Sequence, residues 1–281
     1  MRPIIPISGS PAPLTVSSLR SWTASDKNPR GRILLVHGFA EHAGRLSELA
    51  KSLTANGLEV WAGDLRGHGK SPGQRGHIDG WRDYVEDVDS WVRALPESAL
   101  PLFLFGHSLG GLVALDWVLL NPGRVQAVVL SSPAFQLEIV PPAWRRQLAK
   151  IVSKIIPTLS QPAGIPPDGI SSVAEEVARY QNDPLVHDQA TARFYVSFTE
   201  AQARLIETGP RVAFPVLILF GADDSITKIE GARRFAASNL ERIELRVYPG
   251  ARHEVFHETP AIKDLAVRDL VEFLENGKPH Y

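Results

Sequence analysis

Short apolar runs alternate along the chain with longer stretches in which apolar side chains recur every three or four positions, the pattern of a mostly parallel sheet with helices on both faces. Leu14 to Trp22 reads as an early strand, Asp26 to Gly31 as a turn and Arg32 to His37 as a buried strand. Arg45 to Ala55 follows as a helix stopped by Asn56-Gly57, and Leu58 to Asp64 is the next strand. Beyond the Gly-rich loop Arg66 to Gly76, residues Trp81, Tyr84, Val85, Val88, Val92 and Leu95 share one helical face. Leu102 to Phe105 and Val125 to Leu130 are further strands, joined by a helix over Leu109 to Leu120 that ends at Asn121-Pro122-Gly123.

The alternation then breaks. Between Ser131-Ser132-Pro133 and the next clean strand, Pro215 to Phe220, lies far more chain than usually joins strand to helix. Helical patterns over Trp144 to Ile156, Ser172 to Gln181 and Thr191 to Glu207, separated by prolines, predict a helical cap over 134–210, inserted into a core formed by 1–133 and 211–281. A strand over Ile243 to Tyr248 and a helix over Ala261 to Glu275 close the core.

Composition narrows the functional classes. The 281 residues are 44% hydrophobic and 22% charged with a formal net charge of −1, so nothing favours wrapping a nucleic-acid backbone. There is no cysteine, which excludes disulfides, thiolate zinc sites and a cysteine nucleophile. Four prolines within Met1 to Pro13 break any signal-peptide core, and no apolar run is long enough to span a bilayer, so a cytoplasmic location is the expectation.

Gly106-His107-Ser108-Leu109-Gly110 sits between the strand Leu102 to Phe105 and the helix that follows, which places Ser108 on a strand-to-helix turn with its hydroxyl exposed. Such a serine needs a base, and the base needs a carboxylate to orient it. Functional groups gather at the carboxyl ends of strands in open α/β sheets. One strand there ends in Gly221-Ala222-Asp223-Asp224, another in Pro249-Gly250-Ala251-Arg252-His253. Serine, acid and histidine thus follow one another at three strand ends, the chain order of an α/β-hydrolase triad.

His37-Gly38-Phe39-Ala40-Glu41-His42-Ala43-Gly44-Arg45, Asp64-Leu65-Arg66-Gly67-His68-Gly69-Lys70-Ser71, the Ser108 elbow, Asn182-Asp183-Pro184-Leu185-Val186, Gly221 to Asp224 and Tyr248 to His253 together resemble the monoacylglycerol lipase and lysophospholipase group of α/β-hydrolases, from about Arg32 to Phe273. The resemblance implies a Ser108, His253, Asp224 triad, an acyl-enzyme intermediate, and an oxyanion hole from the backbone amides of Phe39 and Leu109, with no metal or organic cofactor. Its spacing selects Asp224 over Asp223, which is left as a solvated turn residue. Two departures stand out: Leu109 where methionine is frequent, and Phe39 where a smaller residue is common, a bulk that reshapes the pocket mouth.

Other residues invite plainer readings. His37, His68 and His107 flank glycines and read as shaping the site; Glu41 and Arg45 read either as a pair bracing the oxyanion loop or as two independent solvated charges. Trp144 to Ile156 carries an apolar stripe and four cations without an acid, which fits either an interfacial surface that meets membrane or micelle, or a helix packed on the core with its basic face in water. His253-Glu254-Val255-Phe256-His257 matches the zinc-protease string H-E-x-x-H, but Pro249-Gly250 and Pro260 crowd out the helix it requires. A hydrolase fold retained as a receptor is a further alternative. A small-molecule lipid ester is the expected partner, monoacylglycerol first, then lysophospholipid and short-chain or aryl esters. Leu137, Ile139, Val140, Ile151, Ile155 and Leu159 are the cap candidates for lining an acyl tunnel.

Overall fold

The computed structural model describes residues 19–24 and 28–276. The strands are β1 (Arg20–Trp22), β2 (Gly31–Val36), β3 (Leu58–Gly63), β4 (Leu102–His107), β5 (Ala127–Ser131), β6 (Ser160–Gln161), β7 (Ala190–Thr191), β8 (Val216–Gly221) and β9 (Ile243–Tyr248). The helices are α1 (Ser47–Ala55), α2 (Arg82–Ala94), α3 (Leu109–Leu120), α4 (Ala143–Ile155), α5 (Ala174–Asn182), α6 (Ala192–Leu205), α7 (Ile229–Ala237) and α8 (Pro260–Asn276). Seven strands form one sheet in the order β1-β3-β2-β4-β5-β8-β9, parallel except where β1 runs against β3, and β6 and β7 make a separate antiparallel ribbon.

Both faces of the sheet are covered, and for that reason its central strands are apolar at nearly every position. Leu34, Val36, Leu104, Val128, Leu130, Ile218 and Phe220 point into the layer that holds α2, α3 and α7. Their neighbours Ile33, Leu35, Phe103, Phe105, Val129, Leu217 and Leu219 point into the opposite layer, with α1 and α8. Helix α3 is buried around nearly its whole circumference, so it shows no polar face at all. From β2 the chain runs outward to β3, then crosses back to β4 and proceeds the other way. The loops that follow β2 and β4 therefore diverge around one crevice, the position at which such sheets bind ligands.

Most of the anticipated elements are present with shifted ends. The first turn anticipated for α1 is a separate 3-10 turn over Ala43–Leu46, because Arg45 is drawn into buried ion pairs. Neither α7 nor the β6–β7 ribbon was foreseeable: α7 has nine residues and carries Gly231 in its first turn, and the ribbon has two residues per strand. Of the early strand, residues 14–18 lie outside the described residues, as do 26 and 27 of the following turn.

Between β5 and β8 the chain leaves the sheet for α4, β6, α5, β7 and α6. Its return is anchored by Arg204 of α6, whose guanidinium donates to both oxygens of the buried Asp116 on α3, at 2.9 and 2.6 Å. The Trp81 indole donates to the same carboxylate at 2.8 Å. Removing Asp116 leaves both donors without their acceptor. Asp116→Ala is expected to lower unfolding stability by about 2 kcal/mol in urea titrations, with Asp116→Asn intermediate; an unchanged midpoint would show that the three-way contact contributes nothing.

Candidate active site

The turn after β4 is the first constraint. Ser108 holds φ +51°, ψ −115°, a backbone conformation that L-residues with side chains rarely adopt. Its flanking glycines are dictated by contact. A Cβ on Gly106 would lie 2.3 Å from the Gly110 carbonyl oxygen, and one on Gly110 would lie 2.3 Å from that of His37. Neither clash could be relieved by a side chain, since the atoms struck are backbone. The chain thus reverses between β4 and α3 with Ser108 standing half-exposed at the crest.

Two other strand ends supply the acid and the base. Asp224, after β8, accepts from the Ile226 and Thr227 amides at 2.8 and 2.9 Å and from the Thr227 hydroxyl at 2.6 Å. His253, in the loop after β9, directs Nδ1 to Asp224 Oδ2 at 2.8 Å. Asp223 faces solvent. Burial works against a charged His253, but the Asp224 charge and hydrogen bond, helped by Glu254 and Glu41, outweigh it and raise the imidazole above its ordinary value. Asp224 is depressed in turn: burial opposes its ionisation, while His253 and the Thr227 donors prevail.

Ser108 and His253 line one cavity, but no hydrogen bond joins them among the described residues. Long or misaligned contacts of this kind are common before substrate binds. The cavity also meets Glu41, His107 and Glu254 on its polar side and Phe39, Ile165, Ile170, Tyr180 and Ile226 on its more apolar side. It leaves about 30 Å³ open to water, room for a molecule or two and far less than the roughly 300 Å³ of ordinary ligand pockets. A wider concavity of about 980 Å³, among Arg32, Arg93 and Arg124, lies at the N-terminal ends of the strands, away from Ser108.

The loop after β2 passes over the same cavity. Glu41 Oε1 accepts from the Gly38 amide at 2.6 Å, while the Phe39 and Leu109 amides donate to no protein acceptor among the described residues. Behind the loop is a buried charge cluster. Arg45 donates through Nε to Glu41 at 3.2 Å and through its terminal nitrogen to Glu254, so Glu41 and Arg45 are a buried pair rather than separate solvated charges. His257 bridges Glu254 and the Arg45 carbonyl, each at 3.0 Å, so both ring nitrogens act as donors and the imidazole is drawn toward its charged form. Glu254 is held well below the usual carboxylate range despite its burial, by His257 and Arg45.

The neighbouring histidines have narrower roles. His37 accepts the Leu65 amide at Nε2, which leaves Nδ1 to donate to the Gly38 carbonyl; burial keeps it neutral. His107 packs its ring 4.8 Å from that of His253, and burial together with the His253 charge pushes it down to about 4. Residues 253–257 do not form the two-turn helix of a zinc protease: only Val255–His257 coil, as a 3-10 turn, and Glu254 is committed to Arg45 and His257. Of the anticipated tunnel residues, Ile139, Val140, Ile151, Ile155 and Leu159 face solvent, and Leu137 packs beside Thr227; none lines the Ser108 cavity. Ile165, Ile170 and Ile226 occupy that position instead, and no periodicity marks them because they lie in irregular chain.

Fold and site define the class as an α/β-hydrolase. The family model described as Serine aminopeptidase, S33 matches residues 27–260, and the chain belongs to that family. It is similar to the monoacylglycerol lipase of Mycolicibacterium smegmatis, 35% identical over 84% of this chain and 85% of that one. Phospholipase YtpA of Bacillus subtilis is 30% identical over 84% and 93% of the two chains. The crystal structure of Paleococcus ferrophilus monoacylglycerol lipase superposes with a TM-score of 0.83 at 35% identity, covering 92% of this chain and 98% of that one. The chain is accordingly an enzyme, a monoacylglycerol lipase-like serine hydrolase.

Titration gives a direct check on the electrostatics. NMR of the imidazoles is expected to show His253 with a midpoint above 6.5 and His107 near 4. In Asp224→Asn the His253 midpoint falls below 6.5, because burial is then opposed only by the more distant carboxylates. Linkage fixes the signs: stability from His253 is fully present below 6.5 and lost as pH rises through its raised value, whereas His107 destabilises the fold as pH falls from 6.5 toward 4. A His253 midpoint unmoved by Asp224→Asn would contradict the pairing.

Proposed function

We propose that the protein hydrolyses monoacylglycerols through Ser108, His253 and Asp224. The observation that carries the reading is the Asp224–His253 pair opening onto the same cavity as a serine held in a strained turn, beside two amides without acceptors. Ser108 Oγ attacks the ester carbonyl as its proton passes to His253, and Asp224 stabilises the imidazolium. The alkoxide that develops receives hydrogen bonds from the Phe39 and Leu109 amides. Collapse returns the proton to the glycerol oxygen, and water repeats the sequence on the acyl-enzyme. Glu41 and Glu254 are balanced by Arg45 and His257, so the polar wall suits a neutral leaving group.

In this reading residues 134–210 act as a cap. Support comes from the size of the cavity, which admits an acyl chain only if that segment shifts. The outer face of α4 supports a surface role for the cap. Trp144, Leu148, Ile151 and Ile155 fall within one stripe of the helix and are 62%, 50%, 56% and 73% exposed. Arg145 lies on one flank and Lys150 and Lys154 on the other, while Ser153 faces inward. An apolar stripe edged by cations in this way partitions into a lipid interface. The same cations, with the similarity to a phospholipase, favour lysophospholipid as the second substrate class.

Ser108→Ala is expected to remove ester hydrolysis by about 10⁴-fold or more, and fluorophosphonate labelling with it, while the far-UV spectrum and melting stay those of wild type. Residual turnover near the wild-type rate would end the assignment, and a panel of esters varied in acyl length and head group ranks the substrates. Charge reversal at Arg145, Arg146 and Lys150 is expected to weaken co-sedimentation with anionic vesicles at least tenfold while sparing hydrolysis of a dissolved ester; unchanged co-sedimentation would remove the interfacial role.

A further inference from the structure

The loop bearing the Phe39 amide is held from two sides that differ in kind. On the core side, Glu41 of the loop itself, paired with Arg45, receives the Gly38 amide at 2.6 Å, and Asp64, after β3, receives that of Ala43 at 2.8 Å. Between these, the Phe39 ring meets His68 of the core edge-on at 5.6 Å, and three further grips come from the insertion. The Phe39 ring stacks on Phe194 of α6, centroids 4.5 Å apart and planes 19° from parallel. The Ala40 carbonyl accepts the His187 amide at 3.0 Å. His42 Nε2 meets Asp183 Oδ2 at 2.8 Å, and because His42 Nδ1 accepts the Gly44 amide, Nε2 carries the proton and donates. The Asp183 carboxylate is itself oriented by the Leu185 amide at 2.9 Å.

Ala40 gives these contacts a consequence. It holds φ +68°, a left-handed backbone that alanine adopts only under constraint, and it directly follows Phe39, which lines the cavity and whose amide has no protein acceptor among the described residues. The constraint on its carbonyl is a hydrogen bond from the insertion, with a second fastening two residues on. If residues 183–187 lift away, Ala40 is free to relax toward ordinary φ, and the peptide plane before it turns.

Building on the proposed triad and oxyanion hole, we propose that Asp183 is a positioning residue: through His42, and with the His187 amide on Ala40, it sets the angle of the Phe39 amide, so that the oxyanion hole is complete only while residues 183–187 are seated on the loop. The insertion then contributes to the chemical step as well as covering it. A donor misaimed in this way weakens binding of the alkoxide and leaves binding of the ground-state ester nearly untouched.

The test uses the full-length enzyme, a dissolved short-chain aryl ester and two inhibitors: a trifluoromethyl ketone, whose adduct with Ser108 places an oxyanion in the hole, and the corresponding alcohol, which Ser108 cannot attack. Asp183→Ala is expected to lower kcat about 10- to 100-fold with KM within about twofold, and to weaken the trifluoromethyl ketone by a similar factor without changing the alcohol. Asp183→Asn, which keeps an acceptor for His42, recovers kcat to within about threefold of wild type, and Glu176→Ala, which breaks an exposed pair internal to α5, stays within about twofold. Thermal melts establish that each variant is folded; should Asp183→Ala not fold, Asp183→Ser carries the same expectation. Unchanged kcat, or equal weakening of both inhibitors, overturns the coupling. An active wild type with an indifferent Asp183→Ala removes the coupling alone, whereas a wild type that turns over no ester removes the triad reading and the coupling together.

Discussion

Everything at the site depends on one backbone reversal. Between β4 and α3 the chain must turn within a few residues, and it does so with two backbone segments in direct contact at Gly106 and Gly110 and with Ser108 forced to positive φ. Strain of this kind costs about 1–3 kcal/mol and persists only where the surroundings leave no alternative. Here the surroundings are the most buried part of the protein: β4 lies at the centre of the sheet, and α3 is enclosed on almost all sides. The hydroxyl is consequently presented from a rigid base.

A second organising feature is the buried charge cluster of Glu41, Arg45, Glu254 and His257. Four ionised groups in so little water would be expensive if any were unmatched. They are matched in sequence, carboxylate to guanidinium to carboxylate to imidazolium, and the arrangement joins the loop after β2 to the loop after β9. Two segments more than two hundred residues apart are thereby brought into fixed register beside His253. This also explains why the string from His253 to His257 resembles a metal motif without the helix of one: its glutamate serves as a structural counter-ion.

The sheet was legible in the sequence because a doubly covered strand is nearly all apolar and short, and β2, β4, β5 and β8 meet that description residue by residue. The elbow was legible for a related reason, since its glycines are demanded by backbone contact that no other residue tolerates. Asp224, rather than Asp223, bonds to His253, a distinction that periodicity alone does not make. The walls of the cavity were less accessible. Ile165, Ile170 and Ile226 come from irregular chain, where no repeat signals direction, whereas the regular apolar stripe of α4 faces away from the core. A hydrophobic stripe on a helix states that something will cover it; whether the cover is the protein's own core is decided elsewhere in the fold. Here Ala149, Val152 and Ser153 are the residues of α4 turned from full exposure, leaving the larger side chains outward.

If that outward stripe lodges the protein at a lipid surface, as proposed, it changes the variable on which turnover depends. A protein lodged at a lipid surface by α4 meets its substrate in two dimensions, so the governing quantity is the number of ester molecules per unit area rather than per unit volume. Diluting the lipid with inert amphiphile would then slow the reaction at constant total ester, and adding more vesicles of the same make-up would not hasten it once every enzyme molecule had a surface to occupy.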